Sequence, residues 1–399
     1  MKDDKMLLDN FELSGTDRQS FFEVLDAIDS CTSMIPFDLA DCSVLHYRRD
    51  VEELQDGKKT GKKQFWLLRP EEWDGEKGKI ISIKDDNLNR KLTPELIQEW
   101  KEHATALYEN TDRQIYLLSS MATQTLLMKT GVGGEKAVQS SLARDRYLAS
   151  CMSSSKPAMA LVRTTDSGKP KIFAFFSQKY KYAPQAIIRD IIEDITKTGT
   201  DIRFRKWYVS HKLSECFIEF PDKSFTLNGE TWTPGLRICT SDTGYSSTTI
   251  TCTWRNKESV TFMKTSNDEI RHYGDKDMKQ EIRAKTKDIA KMQKEFENAM
   301  KTLNKQALSA PSADIMQELY LNLFLSSIKK IGIEDVLGSK RINTLLCSIS
   351  AEHDWNLSYT LASVATEIMK LPGIISSSTI SQRNKLATGC GKAPFVVGI

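Results

Sequence analysis

The stretch IRFRKWYVSHK, residues 202–212, sets cations beside an aromatic ring at the spacing of a β-strand. Alternation along a strand puts Arg203, Arg205 and Trp207 on one face and Ile202 and Phe204 on the other. Guanidinium groups that track phosphates, next to a ring that stacks on bases, are what a single-stranded nucleic-acid surface requires. Lys206, and Lys179 and Lys181 in the upstream KYKY segment, add charge. Residues 179–212 carry eight Lys/Arg against four acids, a local net of +4. The same residues also fit a half-buried strand whose polar face is basic. Arg271 and His272 open a second basic segment, residues 271–305, with ten Lys/Arg against six acids. His272 is a candidate phosphate or base contact, against the alternative of a turn-forming histidine ahead of a solvated helix face.

Ser241-Asp242-Thr243-Gly244 forms a polar knot between two strand-like runs. Ser241 and Asp242 can bond their own backbone and Gly244 can take positive φ, which makes a turn; the same backbone donors can hold an anion, which keeps a ligand loop open. Catalytic and cofactor signals are missing: there is no HExxH, no two-metal carboxylate spacing and no GxxxxGK[ST], and the glycines at 131, 133 and 134 follow no strand. No catalytic residue, metal site or cofactor is assigned. The eight cysteines contain no CxxC and suit reduced, mostly buried thiols.

The elements that must position these residues are those of an α+β protein: a central antiparallel sheet with flanking helices and a helical C-terminal region. Strand-like runs occupy 43–48, 64–69 and 79–84, and Thr93-Pro94-Glu95 starts a helix running to about 108. A helix is expected over 112–130, with Ile115, Leu118, Met121, Ala122 and Thr125 on one face and Gly131 as its stop, and another over 135–152. Runs at 158–164 and 170–177 form a hairpin, Pro184 opens a helix closed by Gly199, and strands follow at 202–209, 213–220, 235–240, 246–254 and 258–264. Ile282, Ile289, Met292, Phe296, Ala299 and Leu303 gather into one seam of a helix over 275–305, which packs on the sheet or on a second copy. Three regions result: an N-terminal α/β region (1–110), a core domain (111–306) and a helical region (307–399).

The 399 residues, 40% hydrophobic and 27% charged with net charge +3, belong to an ordinary globular chain too mildly basic to imply nucleic acid by bulk charge. No run of about 18 apolar residues exists, so no membrane contact is expected, and the first residues lack the apolar core of a signal peptide. A cytoplasmic location is expected.

The order of Arg163 with Asp166-Ser-Gly168, FFSQKYKYAP at 175–184, PGLRICTSDTGYSS at 234–247, Trp254-Arg255 and Arg271-His272-Tyr-Gly274 before a long helix resembles a phage- and plasmid-borne protein family of unassigned function. The likeness runs from about 110 to 390, with Thr240 where that family carries Asn. It implies a mobile-element protein in a bacterial host and supplies no activity. Three functions remain open: an accessory protein of a phage or prophage that binds nucleic acid without catalysis, a module engaging a host protein such as a defence factor, and an enzyme acting on nucleotides or nucleic acid.

Overall fold

The computed structural model describes residues 4–53, 59–68, 79–81, 93–103, 105–132, 141–166, 170–197, 201–227, 230–256, 261–263 and 269–270, with helical positions 280, 281, 284, 291, 294 and 298. A 3-10 turn over Asp4–Leu7 leads into β1 (Glu12–Gly15). Asp17 caps α1 (Arg18–Cys31) by accepting from Ser20 N at 2.7 Å, and α1 passes directly into β2 (Thr32–Phe37). Next come β3 (Cys42–Glu53), β4 (Lys59–Leu68) and β5 (Lys79–Ile81). Thr93 Oγ1 accepts from Leu96 N at the start of α2 (Pro94–His103), as its Thr-Pro signal predicts. Then follow β6 (Ala106–Glu109), β7 (Ile115–Leu118), α3 (Ser120–Lys129), α4 (Ser141–Met152), β8 (Ala158–Arg163), β9 (Lys171–Phe176) and α5 (Ile187–Lys197). The chain continues through β10 (Arg203–Ser210), β11 (Ser214–Glu219), β12 (Phe225–Leu227), β13 (Glu230–Thr240), β14 (Thr248–Asn256), β15 (Thr261–Met263) and β16 (Glu269–Ile270).

These strands build two sheets, and the class is α+β. One sheet runs β1-β10-β11-β13-β14-β15, with β12 on β13 and β16 on β14; all its pairs are antiparallel. The other runs β2-β8-β9-β7-β6-β3-β4-β5 and is mixed, because β7 and β9 pair in parallel. Residues on both sides of position 110 share this second sheet: 110 falls in the turn between β6 and β7, and β2 pairs with β8. The boundary expected there is therefore not a boundary between separate sheets.

In the antiparallel sheet the alternation of β14 is legible residue by residue. Ile250, Cys252 and Trp254 join Ile238, Leu236, Ile218 and Cys216 on the buried apolar face, while Thr249, Thr251 and Thr253 stand with Arg237, Phe217 and Glu215 on the other. Within this sheet Gly235 is held by close approach, since a Cβ there would lie 2.2 Å from Ile218 O. β10 departs from its expected alternation. A bulge between Phe204 and Lys206 adds one residue, so Lys206 pairs with Phe217 and Trp207 with Cys216. A one-residue slip turns every later side chain to the opposite face. Trp207 thereby leaves the face of Arg203 and enters the core, 6% exposed, stacked on Phe21 of α1 at 5.5 Å between centroids.

The helix expected over 112–130 is also different. Residues 115–118 are a strand, because Ile115, Leu117 and Leu118 are buried in the mixed sheet, and Ser119 starts α3 by accepting from Ala122 N. Gly131, at φ 75°, ends α3 as predicted, with Val132 N donating to Leu127 O. The hairpin β8–β9 and the strands β11 and β14 lie close to their expected positions, whereas β13 starts before the expected 235 and β12 and β16 were not expected. Exposed helical positions 280, 284, 291, 294 and 298 share one face; the seam of Ile282 to Leu303 expected on the opposite face, with the self-association it implies, lies outside the described residues. So does all of 307–399.

Trp207 belongs to the core, and Trp207→Ala should lower unfolding stability by about 3–5 kcal/mol. Urea titration reads the loss, and nucleic-acid affinity of the folded fraction should stay unchanged.

Candidate ligand groove and the buried ion pair behind it

The two sheets meet across charged side chains. Arg163, the last residue of β8, donates from Nη2 to Asp242 Oδ2 at 2.8 Å, and the two side chains are 1% and 0% exposed. Arg163 also lies 4.3 Å from the centroid of Phe173 on β9. The ring's other cation is Lys171, whose Nζ donates to Leu7 O, Asp9 Oδ1 and Glu99 Oε2, using all three donors. Burial raises the Glu99 carboxyl; at Asp9 the upward push of burial is outweighed by Lys171 and by the N–H of Ser120, which holds it low. Asp29 of α1 accepts from Gln185 N and Ala186 N at the start of α5 and from Tyr182 Oη, and burial followed by the nearby Asp242 charge raises its carboxyl against those bonds.

Several buried polar atoms in this layer have no hydrogen-bond partner among the described residues. They are Asp242 Oδ1, both ring nitrogens of His211 and both amide atoms of Gln185. His211 is 2% exposed; burial, with Arg163, Lys212 and Lys171 adding to it against Asp9, pushes its imidazole down to about 4.

The loop carrying Asp242 is a buried latch. Ser241, Asp242 and Thr243 are all 0% exposed. Ser241 Oγ donates to Lys212 O at 2.6 Å and accepts from Tyr245 N at 3.0 Å. Gly244 has φ 74°, and a Cβ there would meet the Phe176 ring at 2.7 Å, so dihedral and space both require glycine. The knot is therefore the turn its sequence indicates, and it also fastens one sheet to the other.

Beyond the latch the chain turns outward and forms one wall of a groove of about 700 Å³. The opposite wall is α3, through Met121, Gln124, Met128 and Lys129, and the floor is Phe176 stacked on Tyr180 at 3.7 Å and 5°. Tyr245 stands on the rim, 45% exposed, with Lys212 Nζ 5.9 Å from its ring, and Met128 is 81% exposed. Among the described residues no carboxylate lines the groove. Burial alone holds the Lys129 ammonium below its ordinary value.

The residues expected to bind nucleic acid are divided among separate places. Lys179 and Lys181 are exposed on either side of Tyr180 in the chain, and neither lines the groove that Tyr180 floors. Arg203 and Lys206 are exposed on the polar face of β10, with Lys206 over Phe217; Arg205 pairs with Glu219 at 3.3 Å. Trp207 is in the core, and Arg271 and His272 lie outside the described residues. Of the loop candidates, Ser241 and Asp242 are structural and buried, while Gly244 lines the groove. The sequence reading missed Tyr245 and Lys129. A tyrosine just past a Gly turn, with a lysine ending a helix, is a signal only once 129 and 245 are known to adjoin. Among the described residues no group of three or more His, Cys, Asp or Glu could hold a metal ion, the six described cysteines are free, and no helix is long and apolar enough to cross a membrane. Comparison with known proteins finds no matching family model, no similar curated protein and no similar solved structure.

Asp242→Asn should destabilise the protein by about 3–5 kcal/mol, because it leaves the Arg163 charge buried without its counterion. Urea unfolding at pH 7.5 measures this. Stability should also fall with acid through His211. The unfolded chain takes up a proton near its ordinary value of 6.5 while the folded imidazole stays neutral to about 4. The contribution is complete above pH 6.5 and is lost as pH falls toward 4, by about 3 kcal/mol at most. His211→Gln should remove that part of the decline, leaving the part owed to carboxylates.

Proposed function

We propose that the protein binds single-stranded nucleic acid without catalysis, with the groove between α3 and residues 243–247 as its base-stacking site. One observation carries the reading: an exposed Tyr245 ring beside Lys212 at the rim of an aromatic-floored groove that no described carboxylate lines. Every base has a π-face that such a ring can take, and a stacked base contributes about 1–3 kcal/mol. Lys129, Lys179, Lys181 and Lys212 supply the cations that phosphates need. In biological terms we read the chain as an accessory protein of a phage or prophage acting in the bacterial cytoplasm, the setting implied by the order of its motifs.

The decisive experiment is a titration of labelled single-stranded DNA, duplex DNA and RNA with nucleic-acid-free protein at two salt concentrations. Tight, salt-sensitive binding of single strands is expected. Tyr245→Ala should weaken it about 5- to 100-fold, and Lys129→Gln should flatten the salt dependence by about one charge. Absence of binding at low salt overturns the proposal. Recovery of one stoichiometric host protein with no nucleic acid would then favour an interaction module.

A further inference from the structure

A second groove, of about 970 Å³, runs between the N-terminal segment 4–13 and the outer face of α1, and Glu95 at the start of α2 adjoins it. Its chemistry is opposite to that of the first. Among the described residues Asp4, Glu12, Glu23, Asp26 and Glu95 line it against one cation, Lys5, on a chain whose net charge is +3. Asp26 is already paired with Arg189, and Glu12 accepts from Tyr208 Oη at 2.7 Å; Glu23 and Glu95 are exposed to solvent. Between the acids lies an apolar strip in which Leu8, Leu13, Val24 and Ala27 are half-buried.

The second observation is the strand at this groove's wall. β1 is the terminal strand of the antiparallel sheet, and among the described residues it pairs with β10 alone. An edge strand presents a row of backbone N–H and C=O groups that an incoming strand can complete. Glu12 and Leu13 belong to both the edge and the groove. The four residues of β1 span about 13 Å, enough to pair four residues of an added strand.

We propose that this groove binds an extended peptide segment of alternating basic and apolar residues, which adds as a strand to β1. Its apolar side chains lie on Leu13, Val24 and Ala27, and its lysines or arginines face Glu12, Glu23 and Glu95. Backbone pairing supplies the affinity and the alternating side chains the selectivity. Nucleic acid is repelled from this groove by the same acids, so the two grooves take different partners and the inference does not depend on the first site.

The probe is a fluorescein-labelled octapeptide of alternating Lys and Val, titrated into the full chain and read by anisotropy. It should bind at least tenfold more tightly than its Glu/Val counterpart. Methylation of alternate backbone nitrogens should weaken it at least tenfold, and so should the double variant Glu23→Lys, Glu95→Gln. Those two residues are exposed, so the variant's circular dichroism and urea-unfolding midpoint should match those of the unsubstituted chain, which reports its folding independently of any nucleic-acid binding. Equal binding of the two peptides, or affinity indifferent to the variant, overturns the site. Affinity indifferent to N-methylation overturns strand addition.

Discussion

The Arg163–Asp242 pair is the constraint on which the rest of the arrangement depends, because it joins the two sheets through charges that have no access to water. Burying two ions costs more than their attraction returns unless further interactions hold them, so such a pair is poor evidence of stability and better evidence of a specified geometry. Here Phe173 backs the guanidinium, and the chain on either side of Asp242 is bonded to Lys212 O through Ser241 and Thr243. With one of the two charges absent, the other has no means of leaving the interior without parting the sheets.

From that pair the groove follows. Asp242 sets the depth of its loop, Gly244 lets the loop cross Phe176 at a separation no side chain would allow, and Tyr245 emerges on the solvent side. Phe176 in turn lies flat on Tyr180, so the floor and the wall are defined by contacts to one ring. The second buried cation, Lys171, acts in a parallel way. Its three donors gather Leu7, Asp9 and Glu99, which fixes the N-terminal segment against α2. Two buried cations over the same Phe173 thus order the loop beside one groove and the segment beside the other.

The near-balance of charge over the whole chain conceals this division. A net charge of +3 carries little information about partners, whereas among the described residues one groove has no carboxylate in its lining and the other has five against a single lysine. Screening over roughly 8–10 Å in physiological salt makes the local lining, and not the total, the quantity a ligand senses.

Local patterns in the sequence were enough to define much of the second half of the fold. The alternation Thr249 to Trp254, the isoleucines of α5 at helical spacing and the β8–β9 hairpin each encode their own geometry, since the period of burial is written in consecutive residues. Gly131 and Gly244 were legible for the same reason: positive φ is a property of one residue. Tertiary structure decided what depends on neighbours distant in the chain. Ile115–Leu118 became a strand because a place between β6 and β9 was available to it, and the bulge at Arg205 carried Trp207 from the basic face to Phe21. The partner of Arg163 is 79 residues away, and Lys129 and Tyr245 line one groove from elements more than a hundred residues apart. Composition and motif order could nominate cations and aromatics, but only the packing of one sheet on another determines which are buried as fasteners and which remain for a ligand.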